Sequence, residues 1–374
     1  MKIGISCYPT HGGSGVIATE LGMALAERGH EIHFISYSVP FRLRQFQPNV
    51  FFHEVETMVY PLFKYPPYDL SLANKMAEVA QQVGLDIIHA HYAIPHAICA
   101  YLAKKMLRSE KLKIITTLHG TDITLVGADK SFFQIVKFSI EESDGITAVS
   151  HYLRRRTIEE FEIKKPIRVI YNFVDSERFN GEATACDKKR FAPRGEKILM
   201  HISNFRPLKR VCDVVRIFAK VREKIPSVLL LVGEGQQRVA VHQLVKELGL
   251  TKEVFFLGEQ DYVEDLLACA DLFLLPSELE SFGLAALEAM SSKVPVIGSR
   301  SGGLPEVVVH GENGYLHAVG DVEKMAENAI QLLSNQSLLT QFKEKARQRA
   351  QQYFDANKLI AEYEDFYQKI SLAF

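Results

Sequence analysis

The feature that most constrains this chain is an alternation of short apolar runs and amphipathic stretches that occurs twice in series. Ile3–Cys7, Glu31–Ser36, Asp86–Ala90, Ile114–Leu118, Gly145–Val149 and Ile167–Ile170 read as strands, with helical patterns at Gly15–Arg28, Leu70–Val83 and Pro95–Leu107. A polar stretch, Gly181–Gly195, interrupts the series. The alternation restarts at Ile198–Ile202 and continues through Val228–Val232, Val254–Leu257, Leu272–Leu275 and Val294–Ile297, and the chain reads as helical and polar from Asp321. Strands separated by helices build parallel sheets through right-handed crossovers. Two series predict two doubly wound α/β domains, each binding its ligand beyond the carboxyl ends of its strands. The boundary is expected between about Ile170 and Gly195, where turn residues and charges collect. A chain of 374 residues also exceeds what one core usually supports.

Composition removes several function classes. Lys and Arg number 44 against 45 Asp and Glu, so there is no nucleic-acid footprint. No apolar run reaches membrane-spanning length, and Met1-Lys2 leads into a strand rather than a signal-peptide layout. Five scattered cysteines (Cys7, Cys99, Cys186, Cys212, Cys269) read as reduced thiols, so the expectation is a cytoplasmic protein.

Three segments carry the chemistry. Glu280 and Glu288 bracket Ser281-Phe282-Gly283-Leu284, which places Glu280 in a strand-to-helix loop and Glu288 in the early turns of the helix. Backbone N–H groups at such a helix start suit a phosphate, and the two carboxylates can accept hydroxyls on either side of it. A nucleotide-sugar has that layout of sugar, diphosphate and ribose. Two exposed glutamates that merely favour the helix dipole are the plainer explanation. In Ser203-Asn204-Phe205-Arg206-Pro207-Leu208-Lys209-Arg210, Pro207 suits a first helical position, with Arg206 before the helix and Lys209 one turn along. Arg206 and Lys209 can then grip a phosphate, whereas Arg210 reads as a surface residue. In Thr10-His11-Gly12-Gly13-Ser14-Gly15 the glycines permit close approach of backbone N–H groups to an anion. Gly13-Ser14-Gly15-Val16-Ile17-Ala18 formally fits a dinucleotide fingerprint, but the second strand ends in Ser36 and Tyr37 rather than an acid, which disfavours a dehydrogenase.

These segments together resemble the GT4 retaining glycosyltransferases of the GT-B fold. Four more stretches match in family order: His119-Gly120-Thr121-Asp122, Asn172-Phe173-Val174-Asp175, Phe256-Leu257-Gly258 and Ser301-Gly302-Gly303-Leu304-Pro305-Glu306. The resemblance implies two Rossmann-like doubly wound domains facing across a cleft. Residues 1–172 would bind the acceptor, with a helix at 356–374 crossing back, and residues 173–355 would bind the nucleotide-sugar. It implies His119, Glu280, Arg206 and Lys209 as the catalytic set. Gly12, Gly13, Ser203, Arg206, Lys209, Gly258, Glu280, Phe282, Gly283, Leu284 and Glu288 would hold the donor. His119 would lie near the sugar, and Glu288 would hold the ribose. His89, His91 and His96 have the look of metal ligands, since alternate strand residues share a face. No Asp, Glu or Cys accompanies them, the chain has no Asp-x-Asp, and the family uses Arg, Lys and helix N-termini. No metal or other cofactor is expected, and His89 reads as a packed strand histidine.

The stretches from Ile3 to Gly15 and from His89 to Ala97 are similar to a branch of the family that joins N-acetylglucosamine, from UDP-N-acetylglucosamine, to the hydroxyl of L-malate in bacillithiol synthesis. A dicarboxylate acceptor needs concentrated donors, for which Ser14, Tyr92, Thr121 and one or more of Arg154, Arg155 and Arg156 are candidates. Neighbours on a helix point about 100° apart, so the three arginines cannot all face one ligand. Arg154 is the expected one. A lipid acceptor docking on Phe41–Tyr68 and a non-catalytic nucleotide-sugar sensor are the competing functions; intact Glu280, His119 and Arg206 disfavour the sensor. The family also leads one to expect a homodimer.

Overall fold

The computed structural model describes residues 1–10, 12–43, 46–127, 129–182 and 188–372. The chain divides into two compact units, residues 1–171 with 357–374, and residues 172–356.

The first unit is built on seven strands: β1 (Lys2–Ser6), β2 (Glu31–Ser36), β3 (Val50–Glu54), β4 (Ile87–His91), β5 (Lys113–Leu118), β6 (Gly145–Ala148) and β7 (Ile167–Val169). Their spatial order is β3-β2-β1-β4-β5-β6-β7, and every pairing is parallel. All five residues of β4 are buried, because helices cover both faces of such a sheet. On one face Leu72, Met76 and Val79 of the helix Tyr68–Val83 pack with Cys99 and Ala103 of the helix Ile98–Leu107. The last helix, Ala356–Leu372, buries Tyr363 and Tyr367, and the Tyr367 hydroxyl meets His89 Nδ1 at 2.7 Å.

The second unit has six strands: β8 (Lys197–Ile202), β9 (Ser227–Val232), β10 (Val254–Gly258), β11 (Leu272–Leu275), β12 (Val296–Ser299) and β13 (Gly314–His317). They run β10-β9-β8-β11-β12-β13, again all parallel. Its core joins Val214, Phe218 and Val221 of the helix Val211–Arg222 to Leu229, Leu231 and Leu274 of the sheet and to Met325, Ala329 and Leu332 of the helix Val322–Ser334. In each sheet the winding reverses at one point, between β1 and β4 and between β8 and β11. Loops leave in opposite directions there, which opens a crevice at the strand ends.

Several details depart from expectation. Cys7, Asp86, Val149 and Ile170, read as strand residues, lie just outside β1, β4, β6 and β7. β3 and β13 went unread in the sequence. β3 is an edge strand with no fully buried residue, and β13 is four residues long and opens on glycine. Val294 precedes β12 instead of belonging to it. Cys7, Cys99 and Cys212 carry free thiols, but Cys269 is disulfide-bonded, against the expectation of reduced cysteines throughout. Separation along the chain does not reveal which cysteines a fold brings together. Cys186 lies outside the described residues. Among the described residues no helix is long and apolar enough to cross a membrane.

Candidate functional site

In the second unit the reversal point gathers the loops that follow β8, β11 and β12. Lys209 Nζ donates to Glu280 Oε1 over 2.6 Å, with side chains only 19% and 11% exposed. Backbone bonds stitch the same loops together: Glu278 N donates to the Leu208 carbonyl at 2.7 Å, and Gly303 N to the Glu280 carbonyl at 2.7 Å. Gly302 has φ +63°, and a Cβ there would fall on the Glu280 carbonyl, so the turn after β12 requires glycine. Glu280 and Glu288 are 9% and 6% exposed, which removes the plainer reading of two solvated glutamates at a helix start. Buried carboxylates are costly unless they have partners. Phe282 is buried, with its ring centre 5.6 Å from that of Phe354. Gly283, at φ +101°, precedes the helix Leu284–Ser291, whose first-turn amides have no acceptor within the helix.

Arg206 precedes a turn that Pro207 opens, as expected, but the turn is not part of a longer helix. Pro207–Lys209 form a single 3₁₀ turn, and Arg210 at φ +52° breaks it from the helix Val211–Arg222. Arg206 is exposed beside it. Arg210 is not a free surface cation either: its Nε donates to the buried Asp213 at 2.7 Å.

Ser203 follows β8 and is oriented by a residue that sequence reading missed. His201 Nδ1 lies 2.8 Å from the Leu274 carbonyl and Nε2 lies 2.7 Å from Ser203 Oγ. A carbonyl only accepts, so the Nδ1 carries hydrogen. Burial pushes His201 down to about 4, so it is neutral and its Nε2 accepts the Ser203 proton. The hydroxyl therefore keeps its lone pairs for another donor. Gly258 ends β10 at φ +68°, and its carbonyl accepts from Gly233 N at 2.7 Å.

In the first unit Gly12 ends the loop that follows β1 and is the N-cap of the helix Gly13–Glu27, with Ser14 in its first turn. His11 of the same loop lies outside the described residues. The turns after β4 and β5 are held side by side by one carboxylate. Asp122 accepts from Gly120 N at 2.8 Å and Ala93 N at 3.2 Å, and burial pushes its carboxyl up to about 6. Tyr92, at φ +95°, holds a backbone conformation that side chains rarely adopt, and its ring centre lies 5.4 Å from that of His119. Thr121 opens the short helix Thr121–Thr124. His119 Nε2 lies 2.9 Å from His91 Nδ1, and burial pushes His119 down to about 3. His89 is a packed strand histidine between Thr117 Oγ1 and Tyr367, each at 2.7 Å. Ser150 caps the helix His151–Phe161 through Leu153 N at 3.1 Å. Arg154 is half-buried there with Nε unpaired, whereas Arg155 and Arg156 are exposed and Arg156 pairs with Glu160 at 2.8 Å. Among the described residues no group of three or more His, Cys, Asp or Glu is placed to hold a metal ion.

Residues 184–349 match the family model described as Glycosyl transferases group 1, and residues 11–178 match Glycosyltransferase Family 4. The chain is 54% identical over 368 residues to N-acetyl-alpha-D-glucosaminyl L-malate synthase of Bacillus anthracis, covering 98% of this chain and 96% of that one. An uncharacterized glycosyltransferase of Methanocaldococcus jannaschii is 27% identical, with 82% of each chain covered. Among solved structures, Anabaena HepE in complex with UDP and glucose superposes with a TM-score of 0.82 at 19% identity, covering 98% of this chain and 99% of that one. That likeness speaks for the fold, two Rossmann-like parallel-sheet units of the GT-B type. The chain belongs to the family 4 glycosyltransferases and is a sugar-transferring enzyme.

Proposed function

We propose that this enzyme transfers N-acetylglucosamine from UDP-N-acetylglucosamine to the hydroxyl of L-malate with retention at the anomeric carbon, the first step of bacillithiol synthesis in the cytoplasm. The observation that carries this reading is the 54% identity, across 98% of the chain, to a relative named for that product. Cleaving the anomeric C–O bond places positive charge on the sugar and negative charge on the departing diphosphate. Arg206, Lys209 and the amides around Gly12, Gly13, Gly283 and Leu284 would stabilise the latter, a preorganised electrostatic contribution typically worth about 3–4 kcal/mol per donor. Glu280 would accept sugar hydroxyls instead of acting as a nucleophile. Retaining hydrolases place two carboxyl groups about 5 Å apart across the bond; here Glu280 is instead engaged by Lys209. Glu288 would accept the ribose hydroxyls, and Ser203, Gly258 and Phe282 would complete the donor site. In the first unit His119 would meet the sugar, while Ser14, Tyr92, Thr121 and Arg154 would receive the dicarboxylate. The cations take the place a divalent metal has in other transferases, and the protein would act as a homodimer.

A second reading, a lipid acceptor, is favoured by one observation. Met58, Val59, Leu62 and Tyr65 are 67%, 83%, 82% and 74% exposed within one segment of the first unit. Glu54 and Glu56 beside it oppose an anionic membrane.

The deciding experiment is UDP release from UDP-N-acetylglucosamine, with and without L-malate, in buffer containing chelator. Malate-dependent release is the expected result. UDP that raises the melting temperature while malate does nothing would keep the donor site and overturn the acceptor.

A further inference from the structure

We propose that His91 is a positioning residue that fixes the tautomer of His119, so that His119 meets the substrate as a neutral donor through its Nδ1–H. The proposal rests on the reading of His119 as a sugar-site residue.

His91 ends β4, and His119 directly follows β5, its neighbour in the sheet. Nδ1 of His91 and Nε2 of His119 are 2.9 Å apart, so one of these nitrogens carries the shared hydrogen. Which one follows from the far side of the His91 ring. His91 is fully buried, and its Nε2 has no hydrogen-bond partner among the described residues. If His91 were protonated on Nε2, a donor would be buried without an acceptor. An unpaired N–H is rarer and costlier in protein interiors than an unfilled lone pair. His91 therefore carries its hydrogen on Nδ1 and donates it to His119. The Nε2 lone pair of His119 is then committed, and a neutral His119 holds its own hydrogen on Nδ1, the ring nitrogen facing away from His91. Burial favours the neutral ring in both residues.

The surroundings hold this geometry. Asp122 fixes Gly120 N, next to His119, and Ala93 N, two residues beyond His91. The His89 ring, anchored by Thr117 and Tyr367, lies with its centre 4.3 Å from that of His91. A His119 so arranged cannot serve as a general base toward the substrate, because its free nitrogen already bears hydrogen. It can donate to a hydroxyl oxygen of the sugar or acceptor and hold that oxygen in place.

The test is a long-range ¹H–¹⁵N spectrum of the full chain labelled at histidine, with the His119 signals identified by their loss in His119→Gln. The expected result is a protonated Nδ1 and an unprotonated Nε2 on His119. In His91→Leu the ring should become a mixture of tautomers, and kcat should fall by roughly threefold to tenfold, the worth of one hydrogen bond. His91→Asn places an amide N–H near the lost Nδ1–H and should restore both the tautomer and most of the rate. A His119 protonated at Nε2 in the unaltered protein would overturn the proposal, as would Leu and Asn variants that behave alike. If His91→Leu fails to fold, the spectra of the unaltered protein and the Asn variant still decide. These spectra need no substrate, so a failed malate assay would remove the acceptor assignment and leave this proposal standing.

Discussion

Lys209 Nζ donates to Glu280 Oε1 over 2.6 Å, so the cation that sequence reading gave to the phosphate and the carboxylate it gave to the sugar form one pair. Lys209→Met removes a charged donor and leaves Glu280 without this partner. UDP binding should weaken roughly tenfold to a hundredfold, as for a hydrogen bond to a charged group. Glu280→Gln keeps an acceptor oxygen and should preserve most UDP affinity while lowering turnover. Calorimetric titration with UDP beside initial rates separates the two. Unchanged affinity in the Met variant would confine Lys209 to supporting Glu280.

Glu288 is only 6% exposed in the second turn of its helix. Glu288→Ala should weaken UDP binding roughly tenfold, the loss of charge-assisted bonds to two ribose hydroxyls. The deoxyribose analogue dUDP should be less affected, since it lacks one of those hydroxyls. Equal UDP affinity before and after the substitution would take the ribose from this residue.

Gly302 offers a test of how the turn after β12 holds Glu280. Its positive φ and its contact with the Glu280 carbonyl both forbid a side chain. Gly302→Ala should cost several degrees of melting temperature and most of the activity. Gly29, at φ +89° with nothing within 4 Å of an added Cβ, is the control. Gly29→Ala should cost only about 1–2 kcal/mol of backbone strain and leave transfer intact. Similar activity losses in both variants would mean that contact with Glu280 is not the cause.

Arg154 and Arg156 differ in one respect that kinetics can read. Arg154 is half-buried with a free Nε, and Arg156 is exposed and paired with Glu160. Arg154→Ala should raise the KM for malate roughly tenfold or more, and Arg156→Ala should leave it within about twofold, as a surface pair contributes little. The reverse ranking would transfer the acceptor role.

How much of this was legible beforehand follows the physics of each element. Leu272–Leu275 was read to the residue because a buried parallel strand is a continuous apolar run. β3 was missed because an edge strand need not be apolar throughout, and the sequence Val-Phe-Phe-His-Glu keeps its polar end in water. The segments that carry the candidate site residues stand out as motifs, since glycines and charges cluster at strand ends. Their mutual geometry does not: no spacing rule joins Lys209 to Glu280, which lie 71 positions apart. The break at Arg210 was hidden because a left-handed non-glycine residue carries no composition cue. The roles of His201 and His91 depend on which nitrogen faces which oxygen or ring, a property of packing rather than of residue type.

Buried histidines set the acid limit of the fold. Burial pushes His89, His96 and His119 down to about 3, His201 to about 4, and His91 well below its ordinary value. Once unfolded, each would titrate near 6.5. Between that value and the native ones the unfolded chain binds more protons, so stability falls as pH falls. Asp122 acts in the opposite direction. Its native carboxyl, raised from 3.8 to about 6, stays protonated where an unfolded one ionises, one proton against five. Each unmatched proton costs about 1.4 kcal/mol per pH unit, so about four would remove a typical stability of 5–15 kcal/mol within one to three units. The fold should therefore unfold cooperatively between about pH 5.5 and 3.5. Far-UV circular dichroism is the readout, because the chain has no tryptophan. His96→Gln, which keeps a side-chain partner for Ser6 and removes one titrating ring, should lower the midpoint and flatten the transition by about one proton. A protein still folded at pH 3.5, or a Gln variant with an identical curve, would show that these rings do not govern acid unfolding.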